Sequence, residues 1–189
     1  ESQKSASLPR LAGGECVATV AMAERAGPLA LGRLETRRSG SQISGTKVPV
    51  ADASIAEVAV VLARSEGGLE ACLVPLQQAG VSVEPVLTFD TSRGHSTVTF
   101  DAAEAEVLGD TTINPKNWES LLNGAAVLLA WEQLGLAETA LIQARDYALQ
   151  RFAFGRAIGS YQAIKHKLAN MYVTSEKHTR RVFAPVSTS

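Results

Sequence analysis

RFAFGRAIGSYQAIKHKLANM, residues 151–171, stands where one predicted helix ends and another begins. Before it, leucine and alanine recur at helical spacing without a proline up to Phe152. This pattern predicts one long helix, and its apolar stripe is broad enough that we expect the helix to be largely buried. Gly155 and Gly159 then break the pattern, and Ser160 is the expected N-cap of a second helix.

The sequence between Val17 and Leu108 has a different character. Short β-branched stretches recur in it, among them EVAVVLA, VSVEPVLTF and HSTVTF, and turn residues such as RRSG, SEGG and QQAG separate them. This spacing favours an antiparallel β-sandwich or open barrel. HSTVTFD alternates outward and inward residues, so one face of that strand is expected to meet solvent. Asn114 and Pro115 mark the boundary with the helical part.

Composition excludes several classes of protein. Eighteen basic and 19 acidic residues give a net charge of -1, which offers no basic surface for nucleic acid. Cys16 and Cys72 lie far apart, and the histidines do not stand at metal-ligand spacing with them, so we expect no metal site. The longest apolar run, AAVLLAW at residues 125–131, is far short of a membrane span. We therefore expect a cytoplasmic protein with no membrane span.

Arg151 and Gln162, on either side of the corner, allow two interpretations. In the first, Arg151 closes a helix, where a cation favours the negative end of the helix dipole, and Phe152 and Phe154 pack the corner. In the second, the planar guanidinium of Arg151 binds a phosphate, and Gln162 lies in the first turn of the next helix, where unpaired backbone N–H groups favour an anion. The second interpretation predicts a site for a diphosphate.

Residues 151–171 resemble the junction motif of the acyl-CoA dehydrogenases, whose usual form is Arg-x-x-Phe-Gly, then Gln on the following helix, then Lys-Leu-Ala-x-Met. Three more segments match this family in order: LPRLAGGE resembles the link into its β-domain, ISGTK its Asn/Ser-Gly-Thr-Lys strand, and DTSRGHSTVTFDAAEAEVLG the end of its β-domain. The resemblance stops after Val173, and Pro185 would interrupt a continuing helix.

The resemblance implies a multi-domain fold of β and α parts. Residues 1–16 would be the end of a missing N-terminal helical domain or a linker, and residues 17–115 the middle β-domain of the family, an antiparallel barrel or sandwich. Residues 116–189 would be a truncated C-terminal helical domain, in which long antiparallel helices form part of a four-helix bundle. Such a fragment would leave helix faces without partners, so we expect an isolated chain to expose apolar surface and to associate.

The resemblance also implies a cofactor and partners. In this family the flavin of FAD takes a hydride from the β-carbon of an acyl-CoA thioester while a glutamate removes the α-proton. FAD lies across a subunit boundary, and the junction motif serves the cofactor of the neighbouring subunit. Arg151 and Gln162 would therefore bind FAD, and Phe154 would pack beside it. The implied partners are homologous subunits in a homo- or hetero-oligomer, with an acyl-CoA as the substrate.

The positions that would serve this chain's own flavin have lost the family's side chains. The Thr/Ser-Glu-Pro segment, whose hydroxyl hydrogen-bonds the flavin, aligns so that Ala23 replaces the hydroxyl residue and Arg25 the proline, and only Glu24 is retained. The Trp-Ile-Thr/Ser segment has Pro49 in place of the tryptophan and Ala51 in place of the hydroxyl residue. Pro49 also lacks a backbone N–H.

A catalytic base is missing at the positions that the resemblance indicates. The glutamate that some members carry at the start of the first C-terminal helix falls at Ala125, and the arginine near the acyl-CoA falls at Ala126. Glu119 and Glu132 lie nearby, but an isolated carboxylate on a helix is more often a surface or cap residue than a catalyst. We expect no catalytic residue in this chain.

These observations leave three hypotheses. The first is an acyl-CoA dehydrogenase-like subunit that has lost its own site and completes the FAD site of a homologous partner. The second is a working FAD-dependent dehydrogenase whose base lies outside this sequence. The third is a truncated remnant or assembly module that binds neither FAD nor acyl-CoA, in which Arg151 is only a helix cap.

Overall fold

A computed structural model describes residues 2–27, 29, 31–90, 92–109 and 112–183. These residues form two compact units, with the boundary between Asn114 and Pro115. The first unit is built around a β-sheet and the second consists mainly of helices. The predicted β-domain followed by long helices is therefore confirmed, whereas Pro185 lies outside the described residues.

The first unit begins with helix α1, Ser2–Ala12, which has no buried residue. The strands that follow are β1 Ala18–Ala21, β2 Arg37–Ser39, β3 Gln42–Ala51, β4 Val58–Ser65, β5 Gly68–Pro75, β6 Val81–Val86, β7 His95–Glu104 and β8 Glu106–Val107. They form one eight-stranded sheet in the order β6-β7-β3-β2-β4-β5-β8, with β1 paired to β4. The β4 strand pairs in parallel with both β1 and β2, and the remaining described pairings of this sheet are antiparallel.

The core of the first unit forms where the strands turn alternate side chains inward. In β7, Ser96, Val98 and Phe100 are buried and the residues between them are not, which confirms the alternation predicted for HSTVTFD. In β3, Gly45 has a φ of 143°, and a Cβ atom added there would lie 2.7 Å from the Cα of Thr36. Gly45 therefore allows the chain before β2 to lie close against β3.

The second unit is an α-helical pair joined by a short corner. Helix α2, Pro115–Gln150, is followed by strands β9 (Phe152–Ala153) and β10 (Arg156–Ala157) and a 3₁₀ turn at Ile158–Ser160. Helix α3, Gln162–Phe183, then lies beside α2. Two grooves of about 660 and 630 Å³ run between the helices, and Leu134 and Leu141 of α2 line both of them.

The prediction that α2 is largely buried is wrong for this chain. Among its described side chains only Trp118 and Ala148 are buried, whereas Leu128 and Leu136 are 72% and 65% exposed. The broad apolar stripe is real, but within its own unit α2 packs mainly against α3 and the 3₁₀ turn at Ile158–Ser160, which leave much of the stripe exposed. The expected exposure of apolar surface by an isolated chain is therefore confirmed.

Helix α2 is also long and apolar enough, by length and composition alone, to cross a membrane, and it is the one such helix in the described ranges. The sequence contains no uninterrupted apolar run of that length, and α2 carries Glu132 and Glu138 within its middle part. An acidic side chain at the centre of a bilayer costs about 3 kcal/mol. We therefore interpret the apolar residues of α2 as a surface for packing against other helices.

Candidate functional site

The corner between α2 and α3 is a minimal β-hairpin. Helix α2 ends at Gln150, and the N–H of Arg151 donates to the carbonyl of Tyr147 at 2.8 Å, so Arg151 closes the helix. The N–H of Ile158 donates to the carbonyl of Arg151 at 2.8 Å. Arg151 and Ile158 thus face each other just outside β9 and β10, where this hydrogen bond closes the base of the hairpin.

The tip of the hairpin presents an aromatic side chain in an unfavourable backbone conformation. Phe154 and Gly155 are its two central residues, with φ values of 53° and 77°, as in a type I′ turn. Asn, Asp or Gly normally occupies the first of these positions, because a left-handed conformation costs other residues about 1–2 kcal/mol. Phe154 is nevertheless 96% exposed. Backbone strain of this kind is enriched at functional sites and ligand contacts.

The interpretation in which two phenylalanines pack the corner is wrong. Phe152 and Phe154 are 65% and 96% exposed. Their rings are therefore not packed into a core formed by the described residues. Of the first interpretation, only the position of Arg151 at the end of α2 remains.

Helix α3 begins with Gln162, the position in which the sequence predicted it, but Ser160 is not the N-cap. The Ser160 hydroxyl donates to the carbonyl of Ala157 at 2.7 Å inside the 3₁₀ turn. Tyr161 is the residue that precedes the helix, and its carbonyl accepts the N–H groups of Ile164 and Lys165. The first N–H groups of α3 have no partner within the helix and remain available at its end.

The donors at this corner suit a diphosphate. Arg151 is exposed, and its guanidinium forms no hydrogen bond or ion pair with any residue that the structure describes. Gln162 is also exposed and carries its amide in the first turn of α3. A free guanidinium, an amide and a helix N-terminus are all hydrogen-bond donors to phosphate oxygens. The described residues therefore fit the diphosphate of a nucleotide cofactor.

In the first unit, Glu24 has a structural role, although the resemblance identified it as a retained residue of a flavin site. Its carboxylate accepts the N–H groups of Glu35 at 2.6 Å and Thr36 at 2.9 Å. It also accepts Lys47 Nζ at 2.9 Å, and the side chain of Lys47 is completely buried. Burial raises the pKa of Glu24, but these hydrogen bonds outweigh burial and lower the pKa to about 2.

Sequence reasoning missed this ion pair. Lys47 falls at an inward position of β3, and its pKa is lowered by burial, against the opposing effect of Glu24. The signal available in the sequence was a lysine inside an otherwise apolar strand pattern, TKVPV. A buried lysine requires a partner, but nothing in the sequence identifies Glu24 as that partner, because the two are 23 residues apart.

The residues at the chain's own flavin positions do not fit a flavin. The carbonyl of Ala23 accepts the N–H of Val48 at 2.8 Å, and the carbonyl of Ala51 accepts the Thr19 hydroxyl at 2.6 Å. Pro49 offers neither an aromatic ring nor an N–H. The cavity beside Ala23 and Arg25 measures only about 180 Å³, below the usual range of about 300–1,000 Å³ for ligand pockets.

The positions considered for a catalytic base lie on the surface of α2. Ala125 and Ala126 are exposed, as are Glu119 and Glu132. No group of three His, Cys, Asp or Glu residues that could hold a metal ion occurs within the described part of the chain. Within the described residues, neither glutamate forms a hydrogen bond or ion pair with Arg151 or Gln162, so both glutamates remain assigned as surface residues.

Comparison with known proteins adds three relationships. The family model described as acyl-CoA dehydrogenase, C-terminal domain, matches residues 117–187. The expectation that the resemblance stops after Val173 is therefore wrong. Acyl-CoA dehydrogenase IpdE2 of Mycobacterium tuberculosis is 40% identical over 93 residues, which are 49% of this chain and 26% of that protein. An acyl-CoA dehydrogenase from Bacillus anthracis, solved in complex with FAD, is 28% identical with a TM-score of 0.87, over 96% of this chain and 33% of that one.

A second solved structure, the steroid ACAD Tcur3481-Tcur3483, is 30% identical with a TM-score of 0.76, over 93% of this chain and 48% of that one. The chain spans about half the length, or less, of the curated relatives that it matches.

Removing the partner of Lys47 tests the structural role of Glu24. We expect Glu24→Ala to lower the free energy of unfolding by about 3 kcal/mol, because it leaves a buried ammonium group without a counter-charge. Urea denaturation of the two chains measures the difference. The matched control is Glu35→Ala, whose side chain is 83% exposed in its ion pair with Arg25, and which should change little. A change in Glu24→Ala as small as in this control would contradict the assignment.

Acid should weaken the fold through the same carboxylate. The pKa of Glu24 lies at about 2 in the folded chain and near its ordinary value of 4.5 when unfolded. Its contribution to stability is therefore fully present above the unfolded value and lost as the pH falls from 4.5 towards 2. Urea midpoints measured across this range should fall more steeply for the natural chain than for Glu24→Gln. Parallel curves would exclude Glu24 as a source of acid sensitivity.

Proposed function

Because the chain belongs to the acyl-CoA dehydrogenase family, we propose that it is a subunit that completes the FAD site of a homologous partner. The complex would catalyse the α,β-dehydrogenation of an acyl-CoA thioester, and the partner would supply the base. The single observation that carries this proposal is a contrast between two sites. The corner that would serve a neighbour keeps its donors free, whereas the positions that would serve the chain's own flavin have none to offer.

The proposed domains follow from the family's organisation. Residues 1–16 would be the end of an N-terminal helical domain or a linker, residues 17–115 the middle β-domain, and residues 116–189 a partial C-terminal helical domain. Their boundary agrees with the change from strands to helices at Pro115. We place the complex in the cytoplasm.

The residues of the corner would each have a distinct task. Arg151 would neutralise the diphosphate of FAD with a charge that no residue of its own chain uses, and Gln162 would donate an amide hydrogen bond. Phe154 would cover an apolar part of the cofactor and exclude water from it. The flavin, when bound, supplies the hydride acceptor for the reaction.

Loss of the chain's own flavin contacts supports a partner of a different sequence. Ala23 and Ala51 have no hydroxyl groups, Pro49 has no N–H, and Glu24 is occupied by Lys47. Two identical copies would each lack these contacts, so a complete site requires a homologue that retains them. The name Tcur3481-Tcur3483 joins two designations in one steroid ACAD, which is consistent with such a pairing in the family.

A second candidate is an assembly module that binds neither FAD nor acyl-CoA. The exposed apolar side chains of α2 favour an association that needs no cofactor, and Leu128 and Leu136 are examples. Flavin absorbance separates the candidates. The chain purified alone should be colourless, and mixing it with FAD and a homologue that retains the Thr/Ser-Glu-Pro segment should give a yellow complex. A yellow chain alone would indicate a working flavoprotein, and a colourless complex would favour the assembly module.

Arg151→Ala tests the shared site directly. We expect the complex to lose about 1.5–3 kcal/mol of FAD binding free energy, the usual value of a charge-assisted hydrogen bond. Equilibrium dialysis of FAD against the complex measures this loss. Arg180→Ala, which removes an exposed arginine near the other end of α3, is the matched control and should retain FAD. Equal FAD affinity in the Arg151→Ala and natural complexes would contradict the proposal.

Phe154→Asn should separate stability from function. Asparagine is favoured at the first central position of a type I′ turn, so we expect the variant chain alone to gain about 1 kcal/mol in free energy of unfolding. The complex should retain FAD less well, because the aromatic contact is gone. Urea denaturation and equilibrium dialysis measure the two effects. A variant that gains stability and binds FAD as before would show that Phe154 has no role at the cofactor.

A further inference from the structure

The hairpin at the corner is too short to hold its own shape. Strands β9 and β10 have two residues each, and their register pairs Ala153 with Arg156 and Phe152 with Ala157. An isolated two-stranded hairpin is marginal in water even when it is longer, and Phe154 adds backbone strain at its tip. Contacts from outside the hairpin must therefore keep Arg151 and Phe154 in place.

Tyr161 supplies these contacts to both strands at once. Its hydroxyl donates to the carbonyl of Ala153 on β9 at 2.9 Å. The guanidinium of Arg156 on β10 lies over its ring, 4.0 Å from the ring centre. Ala153 and Arg156 are directly paired in the hairpin. One side chain thus holds both members of the same strand pair.

The backbone of Tyr161 is fixed to the start of α3. Its carbonyl accepts the N–H groups of Ile164 at 3.1 Å and Lys165 at 3.0 Å, and its own N–H donates to the carbonyl of Ile158 at 3.1 Å. Gln162 is the next residue in the chain. The hairpin that carries Phe154 is therefore connected, through one tyrosine, to the helix end that carries the Gln162 amide.

The 3₁₀ turn beside Tyr161 also lies tightly against α2. A Cβ atom added to Gly159 would lie 2.9 Å from the carbonyl oxygen of Ala148, and Ala148 itself is buried. Gly159 therefore permits an approach that a larger residue would prevent. The ends of α2 and α3 and the hairpin between them form one connected structure around Tyr161.

We propose that Tyr161 is a positioning residue, which fixes the hairpin and thereby holds Arg151 and Phe154 in the orientation that a partner's cofactor requires. This inference rests on the function proposed above. The two arginines of the motif then have different roles. Arg156 contacts the ring of Tyr161 through a cation–π interaction, and the guanidinium of Arg151 remains free for the cofactor. Tyr161 acts through these residues and is not itself expected to touch FAD.

Limited proteolysis of the full chain tests the clamp without any cofactor. Trypsin cleaves after arginine, and a peptide bond must become mobile to enter the protease. We expect Tyr161→Leu to speed cleavage after Arg156 about tenfold, because a hydrogen bond and a cation–π contact are both lost. Tyr161→Phe, which keeps the ring and loses the hydroxyl, should give a smaller increase of about threefold. Mass spectrometry identifies the cleaved bond.

Tyr172→Leu is the matched control, because Tyr172 is an exposed tyrosine farther along the same helix. It should leave cleavage after Arg156 unchanged, and far-ultraviolet circular dichroism should show equal helix content in all variants. If Tyr161→Leu loses its helices, Tyr161→Phe alone decides the test. Cleavage rates that are the same in Tyr161→Phe, Tyr161→Leu and the control would overturn the clamp.

FAD affinity of the complex tests whether the clamp serves the partner. Tyr161→Leu should weaken FAD binding, and Tyr161→Phe should be intermediate. If Tyr161 acts through Arg151, the two losses of FAD binding free energy should not add. The double variant Arg151→Ala/Tyr161→Leu should then bind FAD only slightly more weakly than the weaker-binding of the two single variants. Fully additive losses would overturn the positioning role, since a general structural defect would add to the loss of a charge.

The outcomes distinguish this inference from the proposed function. Loss of FAD affinity in Arg151→Ala, with none in Tyr161→Leu, would leave the shared site standing and overturn the positioning role. Unchanged affinity in Arg151→Ala would overturn both. Faster proteolysis together with weaker, non-additive FAD binding in Tyr161→Leu is the result we expect.

Discussion

Lys47 carries its ammonium group into the interior of the β-sheet, and Glu24 is its carboxylate partner. An uncompensated charge in such a place costs several kcal/mol, so the segment that bears Glu24 must stay beside β3. The same carboxylate accepts the N–H groups of Glu35 and Thr36, which fixes the chain just before β2. Residues of three separate segments thus depend on one side chain for their relative positions.

This dependence explains why Glu24 is retained while the neighbouring side chains of the family's flavin motif are replaced. Glu24 stands between Ala23 and Arg25, two positions that no longer carry the side chains of the family motif. A hydroxyl that contacts only a flavin can be lost without harm to the fold, but a carboxylate that neutralises a buried lysine cannot. The retained Glu24 is therefore no sign of a retained flavin site. The side chains of Arg151 and Phe154, in contrast, are exposed and pack into no core of the described residues, which fits the role proposed for them at a partner's cofactor.

The sequence predicted those features that depend on local periodicity. Alternation along β7 and helical spacing in α2 and α3 depend only on residues that are close in the sequence. The strand and helix content of both units and the position of Gln162 could therefore be derived. The role of Ser160 could not be derived, because its hydroxyl donates to the carbonyl of Ala157 in a 3₁₀ turn that residue types do not specify. The apolar stripe of α2 predicts that one side of the helix can be buried, but it does not show which elements cover that side. The Glu24–Lys47 pair joins distant segments, and the left-handed backbone of Phe154 runs against its residue preference.

The exposed apolar side of α2 would affect how fast the protein is degraded in a cell. Chaperones and proteases recognise apolar side chains that a folded protein would normally cover, and Leu128 and Leu136 present such side chains. A copy that meets no partner would then be removed, while an assembled copy would persist. The amount of this protein in the cell would then be limited by the amount of whatever covers this side of α2.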